Sequence, residues 1–398
     1  MKKAFFIFLP LVLLIVFLEA GQRIRYFVRD GYSYHWLFYG FQNKQTDRQT
    51  DRQTDRQFIT TLNRPPIDYN YEGFYKYIPG DYLANNLKIP NHIVHINSHG
   101  LRGKEFDINK GKNTFRIIGL GGSSTFGEGA NEEETYPFYL NEYFSNHTIK
   151  NKNIEVINAG VGGFQTSQVK NLLKHFIVKL SPDCLIIYLG NNNHSSKIVT
   201  RDDLISYNII KVHNFFFRYS LFYMSASEKL SKMLTGSADF RAIFNKGKIF
   251  TEGYREAVVS KFSTDITDIV KIAADNRIPH VVFIHQPLLL LNDKKLYRLH
   301  DKTKKNELIK KLSHKEAFNT EDIAFILQTD FFNAMNSIVE ENKINQFVTV
   351  LPFAELLANL NDEDYSSLFF DQVHLTPKGN KLLAKTIYEK IFTEFVDD

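Results

Sequence analysis

The chain has 398 residues, 43% hydrophobic and 23% charged, with 49 Lys and Arg against 44 Asp and Glu for a formal charge of +5. That length holds one large domain with an extension or two modest domains, and the composition is globular rather than disordered. The mild charge, carried by scattered lysines, argues against nucleic acid as a partner, and the single cysteine excludes an intrachain disulfide.

At the N-terminus, Lys2-Lys3 precede an apolar run from Ala4 to Ala20 broken only by Pro10 and Glu19. As a helix the run reaches roughly 26 Å, slightly short of a hydrocarbon core. Residues 1–25 are therefore predicted to be a signal anchor or signal peptide. Leu18-Glu19-Ala20 is a poor cleavage triplet, which favours the anchor. Arg23, Arg25 and Arg29 just beyond the run give a mixed orientation signal.

Residues 26–57 read as a linker. Within it, 46–57 spell Thr-Asp-Arg-Gln three times, with balanced charge and no apolar residue to bury, as expected of a solvated spacer. Residues 58–112 are a tyrosine-rich N-terminal extension expected to pack on the domain that follows. The alternation from His92 to Asn97 predicts a strand. His92, His95 and His99 invite a metal, but positions three apart point to opposite faces of a strand, so no metal site is expected.

From residue 113 to 398 short apolar strands alternate with amphipathic helices. Strands are predicted at 115–120, 154–158, 184–189, 280–285 and 347–351, and helices near 135–146, 165–180, 255–276, 320–342 and 377–395. Alternating β and α segments imply a three-layer α/β/α fold with a parallel five-stranded, flavodoxin-like sheet, and sites collect at the carboxyl ends of such strands. Cys184 falls on the third strand and reads as a core residue. Residues 195–250 are too long for a crossover and carry the aromatic run Phe215-Phe216-Phe217-Arg218-Tyr219. They are read as a helical insertion, either an extra layer or a cap over the site.

Gly119-Leu120-Gly121-Gly122-Ser123-Ser124-Thr125-Phe126-Gly127 ends the first strand. A dinucleotide fingerprint fails there, because Ser124 occupies the third glycine position and the next strand ends Ile157-Asn158-Ala159-Gly160 without a carboxylate. No Gly-Lys-Ser/Thr follows, which excludes a P-loop. A nucleophile elbow of the G-x-S-x-G kind also fits poorly, with Thr125 following Ser124. A nucleophilic serine remains, and it needs a base, an orienting acid and oxyanion donors.

Asp371-Gln372-Val373-His374, just before Pro377, supplies an acid three residues from a base. Such an Asp can accept from Nδ1–H and leave Nε2 to take a hydroxyl proton. Asn158-Ala159-Gly160-Val161-Gly162-Gly163 and Gly190-Asn191-Asn192-Asn193-His194 follow two further strands and offer backbone and amide donors.

Together these blocks resemble the SGNH (GDSL) hydrolases. Gly121-Gly122-Ser123-Ser124-Thr125 is similar to that family's first block, Gly163 falls on its oxyanion glycine, Gly190-Asn191-Asn192-Asn193 on its third block, and Asp371 to His374 on its last. Asn97-Ser98-His99-Gly100-Leu101-Arg102-Gly103 is similar to the lead-in of exported members. The resemblance implies a catalytic triad of Ser123, His374 and Asp371, with an oxyanion hole from Ser123 N–H, Gly163 N–H and the Asn192 amide, and no metal or cofactor. Ser124 is the alternative hydroxyl. Gly122 and Asn193 both replace acidic residues usual in the family. The implied function is a serine esterase removing acetyl or other short acyl groups from cell-envelope carbohydrate or lipid. Acyl transfer to polysaccharide by the same residues is an alternative, as is a non-catalytic carbohydrate-binding or assembly role. The expected place is the bacterial periplasm or cell surface, or secretion after cleavage. Asn193-His194-Ser195 is also a glycosylation sequon, and modification there would crowd the oxyanion site.

Overall fold

The computed structural model describes residues 14, 16–25, 60–62, 67–68, 74–86, 89–195, 220–235, 250–292, 295–299, 301–314, 316, 318, 320–341, 348–392 and 396–397. The spacer repeat at 46–57, the aromatic run 215–219 and His92's side chain lie outside the described residues, as does most of the apolar run from Ala4. Residues 59–196 with 249–398 form one compact unit, and 1–58 with 197–248 form another.

In the larger unit five parallel strands form the centre: β1 (Thr114–Gly121), β2 (Lys152–Gly160), β3 (Cys184–Tyr188), β4 (His280–Ile284) and β5 (Val348–Leu351). Their spatial order is 2-1-3-4-5, the flavodoxin-like arrangement. Two short antiparallel strands, Thr148–Ile149 and Val396–Asp397, extend the edge beyond β2 to make seven strands. Every residue of β3 is buried, as is expected of a strand covered on both faces.

The pleat assigns those faces. Phe115 and Ile117 of β1 and Cys184, Ile186 and Tyr188 of β3 share a core with α2 (Tyr136–Tyr143) and α6 (Pro377–Ile387). Ile118, Leu120, Leu185 and Ile187 point the other way. There α3 (Thr166–His175), α4 (Glu252–Asp275) and α5 (Thr320–Glu341) pack in turn against one another. Caps fix where the helices start. Thr376 accepts from Gly379 N ahead of α6, with Pro377 in its first turn, and Thr251 accepts from Tyr254 N ahead of α4. The three-layer build follows.

The N-terminal extension belongs to this same unit. Gly80–Asn86 pairs antiparallel with Ile89–Ile96 and parallel with Thr60–Leu62. His95 Nδ1 lies 2.6 Å from Asp81, and His99 Nε2 lies 2.9 Å from the Phe106 carbonyl.

In the smaller unit the insertion supplies a helix, Leu221–Thr235, which groups with the N-terminal segment. Residues 16–25 are helical. Among the described residues no helix is long and apolar enough to cross a membrane.

Candidate active site

The last residues of β1 run into α1, a single turn spanning Ser123–Phe126 with Gly122 as its N-cap. Ser123 therefore opens a helical turn whose first N–H groups have no partner within the turn. Thr125 seats that turn, its buried hydroxyl donating to the Tyr188 carbonyl of β3 at 3.1 Å. Ser123 stays at the surface of the sheet rim while its neighbours are buried.

His374 arrives from the loop before α6. Its Nε2 is 2.7 Å from Ser123 Oγ, and its Nδ1 is 2.7 Å from Asp371 Oδ2. Asp371 Oδ1 accepts from Val373 N and His374 N, each at 2.9 Å, so a tight turn holds the carboxylate under the ring. Because a carboxylate can only accept, Nδ1 carries the proton and Nε2 faces Ser123 as an acceptor. Burial alone would raise the Asp371 pKa. The His374 hydrogen bond and charge, with the two backbone N–H groups, outweigh it and hold the group well below the ordinary carboxylate range.

The second and third strand ends close around the same turn. Val161 N donates to Gly121 O at 3.0 Å, which lays the loop carrying Gly163 beside the Ser123 turn. Gly163 has φ of +80°, a conformation that disfavours any side chain. Tyr75 and Tyr77 of the extension brace that loop, the first donating to Gly162 O and the second accepting from Gly162 N at 2.8 Å. Asn192 sits in the 3₁₀ turn Asn191–Ser195, and its Nδ2 donates to Phe164 O at 3.0 Å. Ser123, Phe164 and Asn192 line one small recess of about 10 Å³.

The residues that depart from the family pattern have physical reasons here. A Cβ at Gly122 would stand 2.7 Å from Asn192 Nδ2, so the absence of a side chain is what lets that amide lie against the Ser123 turn. Asn193 is 1% exposed. Its Oδ1 accepts from Thr166 N at 3.2 Å and its Nδ2 donates to Thr166 Oγ1 at 2.7 Å, tying the third block to the start of α3. A side chain so enclosed offers no glycan acceptor in the folded chain.

The Ser124 hydroxyl is turned away from His374 into other hydrogen bonds. Its Oγ donates to Val373 O at 3.2 Å and accepts from Gln286 Nε2 at 2.8 Å. Gln286, which also accepts from Asn191 N through Oε1, brings the end of β4 into the site. The sequence carried a signal for it, since His285-Gln286 are polar residues directly after an apolar strand. Arg102 is a second unanticipated residue. It is 1% exposed, and its guanidinium donates to the carbonyls of Phe126, Gly127 and Ala130, clamping the chain just after α1. Cys184 is wholly buried and its thiol is pushed up by burial, as suits a core residue. Among the described residues no group of three or more His, Cys, Asp or Glu side chains could hold a metal.

Neither a family model nor a curated protein matches the sequence. Solved structures to which the chain is similar include the acetyl xylan esterase AlAXEase, at 13% identity over 70% of this chain and 100% of that one, with a TM-score of 0.41. An acetylxylan esterase from Geobacillus stearothermophilus matches at 13% identity over 74% and 100%, with a TM-score of 0.39. A lipase/acylhydrolase from Enterococcus faecalis matches at 14% identity over 70% and 95%, with a TM-score of 0.38. At such distances the chemistry rests on this chain's own geometry. The 2-1-3-4-5 sheet and the joined Ser123, His374 and Asp371 are what the resemblance to SGNH (GDSL) hydrolases implies.

Proposed function

We propose that the chain is an ester-bond hydrolase of the SGNH kind that works through an acyl-enzyme on Ser123. The observation that carries this reading is the continuous relay from Asp371 through His374 to Ser123, with both contacts at 2.7 Å. Ser123 Oγ attacks the ester carbonyl carbon as its proton passes to His374 Nε2, and the carbonyl π pair becomes an oxyanion. Asp371 stabilises the imidazolium. N–H groups at Ser123 and Gly163 and the Asn192 amide are the proposed donors to the oxyanion, and one such donor contributes about 3 kcal/mol. As the oxyanion collapses, the C–O bond to the alcohol breaks and Nε2–H protonates the leaving oxygen. A water then adds by the same route in reverse, releasing the acid.

Short acyl esters, acetyl above all, on extracytoplasmic carbohydrate are the proposed substrates, as the sequence blocks imply. The small recess lined by Ser123, Phe164 and Asn192 is the space offered to the oxyanion. The N-terminal apolar run supports placement outside the cytoplasm.

Hydrolysis of p-nitrophenyl acetate tests the proposal. Activity should vanish in Ser123→Ala and largely survive in Ser124→Ala, and the reverse pattern would move the nucleophile by one residue. Product analysis with an oligosaccharide acceptor present separates hydrolysis from acyl transfer. An inert wild type that binds acetylated glycan would overturn catalysis altogether.

A further inference from the structure

Among the described residues of the smaller unit, polarity is inverted relative to a protein surface in water. In the helix at 16–25 the side chains of Glu19 and Arg23 are only 19% and 16% exposed, while Phe17 is 74% exposed and Val16 and Ile24 exceed half. Among the described side chains of Leu221–Thr235 the buried ones are Ser227 and Ser231, one turn apart, at 5% and 0%. Leu230, Met233 and Leu234 face outward, with Met233 at 76%. Small polar residues inside and large apolar residues outside is the pattern of helices that associate in an apolar solvent.

Glu19 makes the inversion tenable. One oxygen meets Arg23 Nε at 2.7 Å, and the other accepts from Ser220 Oγ at 2.7 Å and from Phe222 N at 3.0 Å. Ser220 Oγ in turn accepts from Tyr223 N. The acid that interrupts the apolar run is thus satisfied inside the unit, as a carboxylate close to hydrocarbon must be, and it joins the two helices.

We propose that the insertion helix Leu221–Thr235 is a second membrane element, seated in the lipid interface with Leu230, Met233 and Leu234 toward the acyl chains. A helix of 15 residues reaches only about 22 Å, so it enters the interface rather than spanning it. Charge favours an anionic lipid surface as the occupant. Residues 1–30 carry five Lys and Arg against two Asp and Glu, and Lys229 and Lys232 stand exposed on the insertion helix, with stems long enough to reach headgroups. This reading does not depend on the ester chemistry.

The test uses the full chain bearing Met233→Cys, labelled with an environment-sensitive nitrobenzoxadiazole thiol probe. It is reconstituted with phosphatidylethanolamine and phosphatidylglycerol vesicles carrying acyl-chain nitroxides. Cys184 is buried and does not compete for label. A Thr267→Cys probe on the exposed side of α4 is the reference. The expected result is a blue shift and loss of emission by nitroxide quenching at position 233, with neither at 267. Emission at 233 matching that at 267 overturns the proposal. A blue-shifted but unquenched probe that forms disulfides between copies in the unlabelled protein also overturns it, assigning the apolar face to a second copy.

Discussion

The Ser123 turn shows how little separates a tolerated from a damaging change. Gly122 has an ordinary φ of −89°, so alanine meets no backbone strain there. What it meets is the Asn192 amide, 2.7 Å from the new Cβ. The end of that side chain can swing away at small cost to folding, but it then leaves the recess proposed for the oxyanion. Gly122→Ala should therefore melt within a few degrees of wild type while kcat for p-nitrophenyl acetate falls about 10²-fold, the loss of one donor. An unchanged kcat would remove Asn192 from the mechanism.

Asp371 makes a second demand at the same scale. Its folded pKa is depressed, so its contribution to stability is present above the unfolded value of about 3.9 and is lost as pH falls below that value toward the folded one. Asp371→Asn should flatten the stability profile in that acid window and nowhere above it, as measured by urea unfolding from about pH 1.5 to 7. Equal acid slopes in both proteins would contradict the assignment. The Asp-x-x-His spacing made this pair legible in the sequence. The meeting of His374 with Ser123 was legible only through the resemblance, since no spacing rule joins residues 251 apart.

Elements are held to one another by polar groups whose partners lie far away in the chain, and these were the hardest to read. The resemblance treats Asn193 as a weakened copy of an acid. The structure gives a different account. Asp265 of α4 is buried, and burial opposes its charge, yet hydrogen bonds from Lys170 and Lys261 keep its pKa low. An ionised Asp265 accepts the Thr166 hydroxyl proton at 2.9 Å, so the group facing Thr166 Oγ1 from the third block must be a donor. An amide supplies one and a carboxylate cannot. Asn193→Asp should lower stability by about 1–3 kcal/mol, the cost of a buried polar group left facing another acceptor. Combining it with Asp265→Asn should cost less than the sum of the two single changes, a coupling that a thermodynamic cycle reads directly. Strict additivity would break the proposed link between α3, α4 and the Asn192 turn. The lead-in segment illustrates the same limit. It was legible as a motif, but Arg102's three carbonyl partners after α1 cannot be found without the fold.

At the scale of the whole molecule, the five central strands and their helices were legible because burial on both faces leaves long apolar runs, as in Cys184–Tyr188. The edge strands Thr148–Ile149 and Val396–Asp397 were not, being two residues each with no pattern to show. The helix Lys302–Ser313 hid behind five lysines, although Leu308 and Leu312 bury its inner face. The insertion resisted a different habit, the assumption that the apolar face of a helix points inward. Partition into two units then makes a strong claim. Ser123, Gly163, Asn192, Asp371 and His374 all lie within residues 59–196 and 249–398, together with the tyrosines and Arg102 that brace them. A chain lacking residues 1–58, with 197–248 replaced by a flexible glycine-serine linker, should unfold in one cooperative transition and keep the kcat of the full protein. It should no longer float with anionic vesicles. A folded but inactive product would mean that residues outside the larger unit complete the site, and an unfolded one would mean that this unit does not stand alone.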